Sequence, residues 1–105
     1  MTSIADQLRA ARKFIETPDK WCKGALGMDH GGKPLKSYEL GRADRLCGIG
    51  ACRKTAFSLP ISMLRRALPA GFKAIDVYND APTTTHADIL ALFDRAIELA
   101  EKEEK

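Results

Sequence analysis

A chain of 105 residues, 45% hydrophobic and 30% charged, has room for one domain around one core and is too apolar for a disordered polymer. Its net charge of +3 is unevenly carried: residues 1–75 hold 14 Lys/Arg against 6 Asp/Glu, and residues 76–105 hold 3 against 8. That asymmetry fits either a nucleic-acid-binding face or an acidic C-terminal helix that packs on the basic body and neutralises it.

Residues 3–15 place Ile4, Leu8, Ala11 and Ile15 on one helical stripe. Ser3, with Asp6 three residues on, marks the helix start, and Pro18 its stop. Arg9, Arg12 and Lys13 lie off the stripe. Residues 21–40 contain Gly24, Gly27, Gly31, Gly32 and Pro34, too many helix breakers for a stable helix. The spacing predicts a small β-hairpin or structured loop near 22–36, with arms at 25–28 and 33–35 and a turn at 29–32. Pro34 belongs on an edge strand, and Trp21 is expected to pin the excursion to the core.

A second helix is expected over residues 43–57, with Asp44 near its start and Leu46, Ile49, Ala56 and Phe57 inward. Its glycines, Gly48 and Gly50, predict close approach of another backbone. A third helix is expected over 58–68, capped by Ser58 with Pro60 in its first turn and Arg65-Arg66 outward. Residues 74–78 suit either a short strand or one helical turn, and Asn79-Asp80-Ala81-Pro82 is turn chemistry. The fourth helix, from His86 to about residue 103, starts with a Thr85/Asp88 capping box and carries Ile89, Phe93, Ala96 and Ala100 on its apolar face. The fold class expected is therefore mainly α: a compact four-helix single domain, residues 1–105, with a hairpin excursion.

Three cysteines (Cys22, Cys47 and Cys52) without a CxxC pair indicate reduced thiols rather than a disulfide framework or a zinc ribbon. Cys22, His30, Cys47, Cys52 and His86 lack the paired spacing of a structural metal site, so no metal is expected. No GxxxxGK[ST] or GxGxxG occurs, so no nucleotide or other cofactor is expected. The N-terminus has no signal-peptide pattern and no apolar run reaches the length of a membrane span; a cytoplasmic protein is expected, with no membrane partner.

Three sets of residues carry what chemistry there is. Cys47 near a helix start and His86 at another suggest a cysteine hydrolase or transferase, though core packing of Cys47 is the simpler account. Asn79, Asp80, Thr85 and His86 suggest a polar pocket, against the simpler account of turn and helix caps. Lys23, Lys36, Arg65 and Arg66 belong to a basic set that, with Trp21 and Tyr38 nearby in sequence, would suit nucleic acid.

The order Trp21-x-x-Gly24-Ala25, Cys47-Gly48-Ile49-Gly50-Ala51, Tyr78-Asn79-Asp80 and Thr85-His86-x-x-Ile89 with Asp94-Arg95-Ala96 resembles a family of small uncharacterised bacterial and phage proteins. Tyr78 stands where that family has tryptophan, and Ile89 where it has valine. The resemblance spans most of residues 4–100. It implies a mainly helical domain with a small hairpin, no established activity, and a protein-binding or accessory role toward a protein partner. Nucleic-acid binding is the alternative.

Overall fold

Ser3 opens the first helix, α1 (Ile4–Phe14), by accepting the Asp6 N–H on its hydroxyl at 3.0 Å. The computed structural model describes residues 3–55 and 58–103. Ala5, Leu8 and Ala11 on α1, followed by Ile15, are buried. A short 3₁₀ turn, Pro18–Lys20, then leads into the hairpin region.

The predicted hairpin is present. β1 (Gly27–Met28) and β2 (Pro34–Leu35) pair antiparallel, with Gly27 opposite Leu35. The turn is closed by the Asp29 carboxylate, which accepts the N–H groups of Gly31 and Lys33, both at 2.9 Å. Gly32 takes φ +84°, a left-handed conformation that glycine adopts without steric cost. Pro34 lies on an edge strand, because the sheet order is β2-β1-β3.

The third strand was not expected. Where the sequence suggests a helix from residue 43, the chain forms a 3₁₀ segment, Ser37–Arg42, and then β3 (Arg45–Leu46) antiparallel to β1. The helix begins only at Gly48, as α2 (Gly48–Thr55). The Asp44 N–H donates to Met28 O at 2.8 Å and its carboxylate pairs with Lys20 at 3.2 Å, so Asp44 serves the sheet and not a helix start. Arg45 points out and Leu46 in, a period of two that a two-residue strand is too short to advertise. The inward packing expected of Ala56 and Phe57, and the cap expected of Ser58, concern side chains outside those described.

Gly50 meets the other backbone its position predicts: a Cβ there would sit 1.9 Å from Leu26 O. The same carbonyl accepts the Cys47 N–H at 3.0 Å, so β1 and the start of α2 are locked together. α3 (Ser58–Arg66) contributes buried Pro60, Met63 and Leu64. Of residues 74–78, open between strand and helical turn in the sequence, 75–78 fall in α4 (Ile75–Asp80), which also takes in Asn79 and Asp80 where the sequence suggests a turn.

α5 (His86–Glu103) begins with the expected reciprocal cap: Thr85 N–H to Asp88 Oδ2 at 2.9 Å, and Asp88 N–H to Thr85 Oγ1 at 3.2 Å. Ile89, Leu92, Phe93, Ala96 and Ala100 are buried against α1 and α3. The outer edge of the α1–α5 contact is electrostatic. Arg9 pairs with Glu101 at 2.6 Å and Arg12 with Asp94 at 2.9 Å, while Arg66 of α3 reaches Glu103. The acidic last helix therefore faces and neutralises part of the basic body. The fold is mainly α with a small three-stranded antiparallel sheet.

Candidate functional site

Asn79 is the only side-chain amide at the centre of the polar cluster, and it is 0% exposed. Its Oδ1 accepts the Trp21 indole N–H at 2.8 Å and the Gly48 backbone N–H at 3.2 Å. Its Nδ2 donates to Cys22 O and to Asp80 Oδ1, both at 3.0 Å. Two acceptor sites and two N–H groups are the full capacity of a carboxamide, so the group is saturated. The arrangement also fixes which end is oxygen, because a flipped amide would set N–H against N–H at Trp21 and Gly48. The sequence suggested that Asn79 caps its own turn; instead it ties α4 to the Trp21–Cys22 segment and to the first residue of α2.

Asp80 extends the cluster by accepting the Gly24 N–H at 2.9 Å, with Gly24 held at φ +82°. Lys23 donates to Ala81 O at 2.7 Å, with its ammonium 5.6 Å from the Trp21 ring centre. Together these contacts clamp residues 21–24 onto 79–81. Beside the clamp lies a pocket of about 210 Å³ lined by Gly24, Ala25, Leu26, Cys47, Asp76 and Asp80. Asp76, Val77 and Asp80 are exposed on the adjoining face of α4, Val77 by 58%.

Cys47 sits at the mouth of α2, and its Sγ accepts the Gly50 N–H at 3.3 Å. Burial pushes the thiol up from the ordinary cysteine range, and the helix-start N–H groups offset this only in part. Burial likewise pushes Cys22 and Cys52 up to about 12. None of the three is joined in a disulfide. His86 does not serve Cys47. Its Nε2 lies 2.6 Å from Ile15 O, which can only accept, so that nitrogen carries the proton. Its ring packs at a tilt on Trp21, with centroids 5.9 Å apart.

The structure thus brings Asn79, Asp80 and Cys47 together, with Trp21, Cys22, Lys23 and Gly24 as partners. It leaves Thr85 exposed as a helix cap and turns His86 toward α1. The basic residues are dispersed: Lys23 belongs to the clamp, Lys36 precedes the 3₁₀ segment, and Arg65 and Arg66 end α3. Asp76 was not singled out from the sequence, and Gly24 appeared there only as a helix breaker and within the motif order, not as a site residue. Nothing local marks them, since their roles depend on a meeting of segments more than fifty residues apart. Among the described residues, no group of three or more His, Cys, Asp and Glu side chains is placed to hold a metal ion, and no helix is long and apolar enough to cross a membrane.

A family model, described as a family of unknown function (DUF6197), matches residues 1–99. The chain belongs to that family. The match spans almost all of the region over which the motif order had suggested a family of uncharacterised proteins. No curated protein and no solved structure matches the chain. Membership in DUF6197 therefore attaches no activity to the clamp, and its chemistry stands on its own geometry.

Proposed function

We propose that this domain is a non-enzymatic binding module that receives a basic segment of a protein partner at the pocket beside α4. The observation that carries the reading is the exposed face of α4. Asp76, Val77 and Asp80 stand in solvent at the edge of a preformed pocket, and the clamp behind them holds Asp80 in place. Two carboxylates beside an exposed aliphatic side chain suit a lysine or arginine of the partner, whose alkyl stem would cover Val77. A bacterial or phage source, as the motif resemblance implies, fits a small module that modulates a host protein. The raised Cys47 thiol and the engaged His86 Nε2 speak against a cysteine hydrolase. For the nucleic-acid alternative, Arg9, Arg12 and Arg66 are already paired with carboxylates of α5.

The test is affinity capture with the purified domain beside an Asp76→Lys, Val77→Glu double variant. A protein retained by the native domain and lost by a folded variant is the expected result. Retention of the same protein by both would overturn the reading. So would binding to single-stranded nucleic acid that weakens steeply with salt.

A further inference from the structure

Residues 20–22 and 45–47 run side by side. Trp21 bridges Leu46 in parallel, and the Cys22 N–H donates to Leu46 O at 3.1 Å. The next positions in that register are Cys22 and Cys47. Chains paired in this way lie about 4.8 Å apart, and residues in register share a face. A second, independent contact holds the same two residues together. The Asn79 carboxamide donates to Cys22 O at 3.0 Å and accepts at 3.2 Å from the Gly48 N–H, the amide next after Cys47. Disulfides span Cα separations of about 4.4–6.8 Å, so this register suits one. Both sulfurs are held by backbone contacts alone: Cys22 Sγ lies 3.7 Å from Ala25 O, and Cys47 Sγ faces the helix-start N–H groups of Ile49 and Gly50. Cys47 lines the pocket and Cys22 does not, which gives a small reagent one point of entry.

We propose that Cys22 and Cys47 are an oxidisable dithiol that closes to an intramolecular disulfide on exchange with a small-molecule disulfide such as oxidised glutathione. Cys47 loses its proton to solvent and attacks one sulfur of the reagent, forming a mixed disulfide and releasing one thiolate, which takes up a proton. Cys22 then loses its proton, attacks the Cys47 sulfur and releases the second thiol. Two protein thiols are oxidised by two electrons, and one reagent disulfide is reduced to two thiols. Because burial disfavours the thiolates, the exchange is slow near neutral pH and quickens as pH rises. The new bond draws Cys47 Sγ away from the Gly50 N–H and reshapes the floor of the pocket. This inference does not depend on what the pocket binds.

The experiment incubates the folded full chain with oxidised glutathione near the thiol range, at about pH 8.5. Remaining thiols are blocked with N-ethylmaleimide, and the protein is digested for peptide mass mapping. The expected product is a Cys22–Cys47 cross-linked peptide, with Cys52 recovered as the blocked thiol and two of the three thiols lost. Dithiothreitol should restore both. A Cys22→Ser variant should stop at glutathione on Cys47; the native peptide map decides the matter if that variant fails to fold. A Cys47–Cys52 link, a stable mixed disulfide in the native chain, or no reaction until urea unfolds the protein would each overturn the proposal.

Discussion

At the residue scale, Asn79 holds an exacting set of four hydrogen bonds. Truncation to alanine would strand the Trp21 indole N–H, the Gly48 N–H and the Cys22 carbonyl together. Each buried polar group left unpaired costs about 1–3 kcal/mol. Asn79→Ala is therefore expected to lower unfolding free energy by about 3 kcal/mol or more, read as a shifted urea midpoint at unchanged slope. Asn79→Asp keeps the acceptor side but sets oxygen against Cys22 O and Asp80 Oδ1. It should be destabilised as well, and should regain stability on acidification as the new carboxyl is protonated. The sequence places Asn79 in a turn, as composition suggests, because all of the side chain's partners but Asp80 lie 31 to 58 positions away and leave no trace in local spacing. The Thr85/Asp88 cap, whose partners are three residues apart, was legible for the opposite reason.

At the scale of elements, legibility followed length. α5 and α1 show several turns of apolar periodicity, and both appear where that periodicity puts them. β3 has two residues, and Gly48 and Gly50 blur the helix that follows it, so residues 43–47 read as helix when they belong to sheet and junction. Gly50 was read correctly as a point of close approach, and it gives a sharp test. Gly50→Ala would drive a Cβ against Leu26 O, a backbone atom that cannot rotate away. Helix propensity favours alanine by about 1 kcal/mol, yet relief of the clash must separate β1 from α2 and break the Cys47 N–H bond to the same carbonyl. The substitution should be destabilising by about 2 kcal/mol or more on thermal unfolding. A rise in Tm would mean that the two elements are less closely joined than described.

At the scale of the whole molecule, two electrostatic features differ in weight. The Arg9–Glu101 pair between α1 and α5 is exposed and screened by solvent, so it contributes little, whereas Arg12 of the neighbouring pair is half-buried. A double-mutant cycle on Arg9 and Glu101 should give a small coupling that declines with salt. The thiols act in a different pH range. Cys22 and Cys52 titrate near 12 when folded, against an ordinary value near 8.5 when unfolded. Below about pH 8.5 both states keep these protons and their contribution is constant. Between about 8.5 and 12 the unfolded chain gives them up and the folded chain does not, so stability falls with rising pH by up to about 1.4 kcal/mol per pH unit for each thiol. Urea midpoints measured from pH 7 to 10.5 under reducing conditions should stay level and then decline. A flat profile through pH 10.5 would mean that the buried thiols titrate as exposed ones do.

The clamp also governs the order in which the chain can assemble. Residues 21–24 reach their partners at 79–81 across separations of 56 to 58 positions, and Arg9 meets Glu101 across 92. Closing such long loops costs entropy before any contact repays it. During synthesis α1 and the Trp21 segment stay incompletely covered until residues 79–81 and α5 have emerged. A ribosome stalled before residue 79 would hold a chain whose Trp21 indole N–H has yet to meet its Asn79 acceptor.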